Sequence, residues 1–301
     1  MDTVSSGGDL PAFAVALSTG SVAVMNYNSG NGRIVPTTSG AQKFDNSAPV
    51  ITFPKSSGPV SHPHMALQYN DEVLIPDLGQ DTVWRLKQSG TNGAYAIQGS
   101  IPQPKGSGPR HIAIHGMCFG FRISILLIIW LSALDDRLFT IHELSSTLSV
   151  QSIPSAPNGT ATTFATSSIV PSNPPAGAVW AAAEILIPKP STKFPTPYIY
   201  VSNRNTGSQG PNGDSIAIFE HVNKGTPNEG LTLINQVYTG LNQIRGMEFG
   251  NPTDGGDEFL VASGVAGSGG VIVMQRVDGG KNLKLLVRNN NIATRTSFVW
   301  L

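Results

Sequence analysis

Cysteine is nearly absent: in 301 residues only Cys118 carries a thiol, which excludes a disulfide framework and a thiolate metal site. Charge is scarce too. Only 13% of residues are Asp, Glu, Lys or Arg, and 19 basic side chains balance 19 acidic ones, so no net field draws the chain to nucleic acid or to an anionic membrane. Met1 to Pro11 has no basic start followed by an apolar core, and so lacks the pattern of a secretory signal. No apolar run reaches bilayer length. The longest, Ile123 to Leu134, holds twelve residues, where about 20 are needed for a spanning helix. These absences point to a cytoplasmic protein without a nucleic-acid or membrane partner.

What the chain does hold is 33 Gly, 22 Pro and a 40% hydrophobic fraction. That is too apolar for disorder and suits many short strands joined by turns. Phe13 to Leu17 and Ser21 to Tyr27 read as two strands around a tight turn, and residues 28–60 as a long connection with one strand at Val50 to Phe53. A second unit starts at Ser61-His62-Pro63-His64 and continues as two strands around Asp77-Leu78-Gly79. The third begins at Gly108-Pro109-Arg110-His111 and resumes at Arg137-Leu138-Phe139; a fourth follows from Ala181, and a fifth from Ile244. A period of about 45 to 60 residues with about four strands per repeat is the mark of a β-propeller. Helical periodicity is absent outside residues 116–136.

In a propeller the innermost strand of each blade lines the central channel, so residues at its start converge on one mouth. His62, Arg110 with His111, Glu184 and Arg245 are expected at that position in successive units. Glu143, Arg204 and Asp77 are expected at a second one, the end of the next strand. Two rings of polar groups around one cavity follow from this reading.

These residues also carry a family resemblance. His62-Pro63-His64, Pro76-Asp77-Leu78-Gly79, Gly108-Pro109-Arg110-His111, His142-Glu143-Leu144-Ser145-Ser146-Thr147, Ala182-Ala183-Glu184-Ile185, and Tyr200-Val201-Ser202-Asn203-Arg204 with Gly213-Asp214-Ser215-Ile216-Ala217 resemble the seven-bladed lactonase propellers. That family includes the fungal carboxy-cis,cis-muconate cyclases and the propeller-type 6-phosphogluconolactonases. The resemblance runs from about Ala12 to Leu301. It implies a cofactor-independent enzyme that makes or opens a lactone ring, with His62, Arg110, Glu143 and Arg204 as catalytic residues. His64, His111, Glu184 and Arg245 are then expected to bind substrate, and no metal is expected.

Two departures from the family stand out. Its members begin with about two further blades, so residues 1–301 are expected to form a single, N-terminally incomplete propeller domain of about five blades. Residues 116–136 form an anomalous apolar insert where the family passes almost directly into the Arg137-Leu138-Phe139 strand. Gly116-Met117-Cys118 can be encoded by GGT ATG TGY, which contains a consensus fungal splice donor, so the insert reads as a retained intron, the alternative being a buried helix or an extra strand. Translated, it is an aggregation hazard.

The chemistry can also be argued from the residue types. Closing a muconate ring requires one carboxylate to attack a conjugated double bond while charge spreads onto another carboxylate and a proton reaches carbon. The planar forks of Arg110 and Arg204, with Arg245 further out, suit carboxylates held at two points. His62 supplies the proton, with Glu143 as a second candidate. In sugar-lactone hydrolysis, the alternative, the arginines hold phosphate and His62 or Glu143 activates water. A third reading is a non-catalytic or defective propeller, in which His62 only bonds backbone and Glu143 pairs with Arg204 between adjacent blades. The expected partner is a small polyanionic acid or lactone, and a homo-oligomer is compatible with the sequence. His111 and His115 share a strand face, but no carboxylate lies at metal-site spacing. The loop Val265 to Gly270 precedes no helix and is no phosphate cradle. Asn158-Gly159-Thr160 is a glycosylation sequon that matters only in a secreted protein.

Overall fold

The computed structural model describes residues 2–38, 43–55, 60–89, 94–116, 136–267, 269–292 and 296–300. Apart from three single-turn 3-10 helices, Pro252–Asp254, Gly256–Glu258 and Asp278–Gly280, its regular structure is strand, grouped in five sheets. The first contains β1 (Pro11–Ala16), β2 (Ser21–Asn26), β3 (Asn31–Thr38) and β4 (Lys43–Phe44) in chain order, with β5 (Ile51–Thr52) also paired to β3. The second runs β6 (Leu67–Tyr69), β7 (Glu72–Asp77), β8 (Thr82–Ser89) and β9 (Ala94–Pro102). The third is β10 (Pro109–His115), β11 (Arg137–His142), β12 (Thr147–Ser152) and β13 (Thr163–Ser168). The fourth is β14 (Trp180–Leu186), β15 (Ile199–Asn205), β16 (Ser215–Val222) and β17 (Gly230–Tyr238). The last is β18 (Asn242–Phe249), β19 (Phe259–Ala266), β20 (Val271–Val277) and β21 (Asn282–Asn289). Sequential antiparallel order in each sheet is the propeller blade, as the repeat period implies.

The residues between 28 and 60 depart from the sequence expectation. β3 runs through Asn31-Gly32-Arg33-Ile34-Val35, and the strand expected at Val50 to Phe53 shrinks to Ile51–Thr52. Gly32 is suited to this place because a Cβ there would lie 2.7 Å from the Met25 sulfur and from the Val24 carbonyl. The segment 117–135, on which the expected retained intron falls, lies outside the described residues.

A recurring bond closes the blades. The residue leaving the outer strands donates its N–H to the turn between the second and third strands: Phe53 to Gly30 at 3.1 Å, Gln103 to Asp81 at 2.8 Å, Ile169 to Ser146 at 3.0 Å and Thr239 to Asp214 at 3.0 Å. Gly30, Asp81 and Ser146 stand at φ of 61, 48 and 51°. The reversal needs this left-handed conformation, which Gly adopts freely and Asp more readily than bulky residues do.

The chain contacts fall into two compact units. One comprises residues 1–112, 142–145 and 154–161; the other, 113–141, 146–153 and 162–301. In the first, Met25, Ile34, Phe53, Ala66, Ile75 and Leu86 form a buried core between its two complete sheets. In the second, Tyr200, Ile218, Ile244, Met247, Leu260 and Met274 form one core, and Phe139, Leu148, Val150, Ile185, Val201 and Phe219 another. Each of these side chains except Ala66 contributes about 1.5 to 3 kcal/mol by leaving water. Alternation along strands such as Ser21–Asn26 aims them at the neighbouring sheet.

Candidate functional site

His62 opens the second blade just ahead of β6. Its Nδ1 lies 2.8 Å from the Tyr27 carbonyl, and its ring stacks on Tyr27 at 4.3 Å between centroids and 13° between planes. His62 as a whole is half-buried. The His62 carbonyl accepts the Leu78 N–H at 3.1 Å. Gly79 makes room beneath, since a Cβ there would meet the Val60 carbonyl at 2.0 Å and His62 Cδ2 at 3.0 Å.

Arg110 is the second residue of β10, and Glu143 directly follows β11, the neighbouring strand in the same sheet. Arg110 Nε is 2.9 Å from Glu143 Oε2, with the arginine side chain 2% and the glutamate 20% exposed. The turn ahead of Arg110 is tied down by Asp81, whose carboxylate accepts the N–H groups of Gly106 at 2.6 Å and Gly108 at 2.9 Å. Gly108 stands at φ 64°, and a Cβ on it would lie 2.6 Å from Leu144 and 3.2 Å from Leu78. Leu78 thus touches the Arg110 turn with its side chain and holds His62 through its backbone.

A second contact joins the segments that carry His62 and Arg110. His111 Nε2 lies 3.2 Å from His64 Nδ1, both histidines being buried, and Tyr27 meets the edge of His64 at 5.6 Å between centroids. His142, the last residue of β11, is pushed down to about 4 by burial, against the smaller pull of the Asp81 charge. It is neutral at pH 7. Five of the eight expected site residues, His62, His64, Arg110, His111 and Glu143, are therefore linked by this network within one unit.

The other three lie in the second unit. Glu184 and Arg245 were expected at strand starts; instead they stand inside β14 and β18, where the pairing register shifts by a bulge. A bulge re-aims a side chain and moves the apparent strand start. Glu184 donates its backbone N–H to Ser202 Oγ at 3.0 Å, and Arg245 is exposed. Arg204 is the penultimate residue of β15 and is buried, with Nη2 donating to the Ala182 carbonyl at 3.2 Å. Its neighbour Asn205 donates its N–H to Asp214, as do Gln243 and Ile244 beside Arg245. Burial pushes Asp214 up to about 6 in spite of these bonds and of the Arg204 charge.

Asp77 anchors backbone and does not line the cavity wall. Expected to face the cavity with Glu143, it is fully buried and its carboxylate takes five donors. Tyr27 and Asp81 were not singled out from the sequence. An Asp in a left-handed turn before a strand was a usable signal for Asp81, whereas Tyr27 acts through its carbonyl and ring face and leaves none. Among the described residues no group of three His, Cys, Asp or Glu converges as a metal site. An open hollow of about 430 Å³ lined by Glu248, Phe249, Pro252, Phe298 and Trp300 contains none of the expected residues.

Comparison with known proteins agrees with this architecture. A family model described as lactonase, 7-bladed beta-propeller, matches residues 1–300. No match was found among curated protein sequences. Among solved structures, a Lactobacillus plantarum protein is 22% identical with a TM-score of 0.70, covering 95% of this chain and 73% of its own. A periplasmic gluconolactonase from Pseudomonas aeruginosa is 17% identical with a TM-score of 0.70, covering 99% and 74%. A candidate 6-phosphogluconolactonase from Bacteroides fragilis is 18% identical with a TM-score of 0.67, covering 97% and 73%. At such identities the likeness establishes the fold.

Proposed function

Because this chain belongs to the seven-bladed β-propeller lactonase family, we propose that it makes or opens a lactone ring on a small polyanionic organic acid, with carboxymuconate as the first substrate to try. The observation that carries the reading is the buried Arg110 guanidinium, paired at 2.9 Å with Glu143 beside the turn that also holds His62. A guanidinium already out of water binds a carboxylate more strongly than an exposed one, because the surrounding medium screens it less.

In this reading Arg110 holds a substrate carboxylate and stabilises the charge that spreads onto it as the ring closes. The attacking carboxylate forms the ring C–O bond at one alkene carbon, and the adjacent carbon takes a proton from His62. Ring opening is the reverse, with His62 accepting that proton. Glu143 orients Arg110 and is the second proton-transfer candidate.

Sugar-lactone hydrolysis is the second reading, favoured by the names carried by two of the similar folds. There Arg110 holds phosphate, and His62 activates the water that attacks the lactone carbonyl. The purified chain is tested on carboxy-cis,cis-muconate, followed by ultraviolet loss, and on 6-phosphogluconolactone, followed by acid release. Turnover of the first supports cyclase chemistry and turnover of the second supports hydrolysis. Folded protein that converts neither contradicts both. The expectation for Arg204 is tested by itself, through Arg204→Ala.

A further inference from the structure

The carboxylate of Asp77, at the end of β7, has no exposed surface. Its Oδ1 accepts backbone N–H groups from His62 at 2.7 Å, Gly79 at 3.1 Å and Gln80 at 3.2 Å. Its Oδ2 accepts the Trp84 indole N–H at 2.8 Å and the Ser61 hydroxyl. The same strand end returns two bonds: Leu78 N–H to the His62 carbonyl at 3.1 Å and His64 N–H to the Pro76 carbonyl at 3.0 Å. The peptide units on both sides of His62 are thereby fixed to one strand end, the preceding one by the Asp77 carboxylate itself and the following one by the Leu78 N–H.

From that fixed backbone the ring reaches Tyr27. A backbone carbonyl has no proton to give, so the 2.8 Å contact from His62 Nδ1 to the Tyr27 carbonyl requires the proton to sit on Nδ1. Stacking on Tyr27 fixes the ring plane, and Gly79 lies beneath the Cδ2 edge, next to Nε2.

We infer that neutral His62 is held as its Nδ1–H tautomer, that Nε2 is the atom that accepts and returns the proton, and that Asp77 is the positioning residue that sets it. The inference rests on the reading of His62 as the acid–base group. A carboxylate that served only the turn would affect stability when removed, but neither the tautomer nor the chemical step.

The test uses the full chain labelled with ¹⁵N-histidine, with the His62 resonances identified by their loss in His62→Gln. Two-bond proton–nitrogen spectra of the wild type are expected to show protonated Nδ1 and bare Nε2. Ser61→Ala removes one Asp77 donor next to His62; it is expected to stay folded by circular dichroism and to lose about tenfold in kcat with KM little changed, as misplacement of an acid–base group does. In Asp77→Asn the single-tautomer pattern is expected to give way to exchange between both forms. Wild-type His62 protonated at Nε2 overturns the inference. So do folded Ser61→Ala and Asp77→Asn proteins with wild-type spectra and kcat. If Asp77→Asn does not fold, the wild-type and Ser61→Ala spectra decide. Should the wild type convert no lactone, the functional reading fails, and the same spectra still decide the tautomer and the role of Asp77.

Discussion

Glu143 is held to Arg110 twice over: its carboxylate lies 2.9 Å from Arg110 Nε, and its backbone N–H meets the carbonyl of Gly108, two residues before Arg110, at 2.7 Å. The strand end that carries the acid is thus registered against the turn that carries the base. Removing the acid leaves a guanidinium that is only 2% exposed without this counter-charge. Glu143→Ala is expected to cost about 2 kcal/mol in urea unfolding. Asp71→Ala, which opens the exposed pair with Lys87, is expected to leave the unfolding midpoint where it was.

Asp214 gives the second unit a pH dependence opposite to that of most carboxylates. Burial raises it from 3.8 to about 6 in the folded chain, so the folded state binds the proton more tightly than the unfolded state does. Its contribution is fully present below 3.8 and is lost as pH rises through about 6. The loss is at most about 3 kcal/mol. Unfolding of Asp214→Asn, compared with wild type between pH 4 and pH 7, is expected to lack that decline.

Glu229 behaves in the ordinary sense. Burial acts to raise it, but hydrogen bonds from Arg137, from the Gly225 N–H and from His221 outweigh burial and hold it at about 2. Arg137 grips it at two points, Nε to Oε1 at 2.6 Å and Nη2 to Oε2 at 2.9 Å, while His221 Nε2 adds a contact at 2.8 Å. Its stabilisation is present above 4.5 and is lost as pH falls through about 2. Glu229→Gln is expected to cost about 3 kcal/mol at pH 7, as for other broken buried pairs, and the gap from wild type is expected to close towards pH 2.

His115 ends β10 and Arg137 begins β11, neighbours in one sheet, and a Cβ on Gly116 would lie 2.2 Å from an Asp136 carboxylate oxygen. The two ends of the hairpin therefore meet. A chain lacking residues 117–135 joins Gly116 to Asp136 as a two-residue connection with Gly first, a favoured hairpin turn. It is expected to melt no lower than the full chain and to remain in solution at higher concentration. Failure to fold means that the segment is needed, and a transcript that always encodes it refutes the retained intron.

Much of the fold is legible in the sequence because the inner strands are short, apolar and bounded by turn residues: β7, β11, β15 and β19 fall where the motifs place them. β3 escapes such a reading because its Gly32 and Pro36 look like turn residues, whereas pairing with β2 and burial of Ile34 and Val35 override that preference. The outer strands β9, β17 and β21 are implied by the repeat but not located by it. They are half-buried or exposed and bury few apolar side chains, so no clean alternation marks them. Motif order singles out His62, Arg110 and Glu143 as candidates, but side-chain direction decides Asp77, and a tertiary carbonyl from Tyr27 decides which His62 nitrogen is bonded. Neither is encoded in local spacing.

The most direct test of the proposed chemistry is the kcat of Arg110→Ala on whichever substrate the wild type converts, with folding confirmed by circular dichroism. A folded variant that has lost at least about a hundredfold in kcat, as expected when a group stabilising transition-state charge is removed, supports Arg110 as the anion-holder. A folded variant that turns over at the wild-type rate contradicts the account.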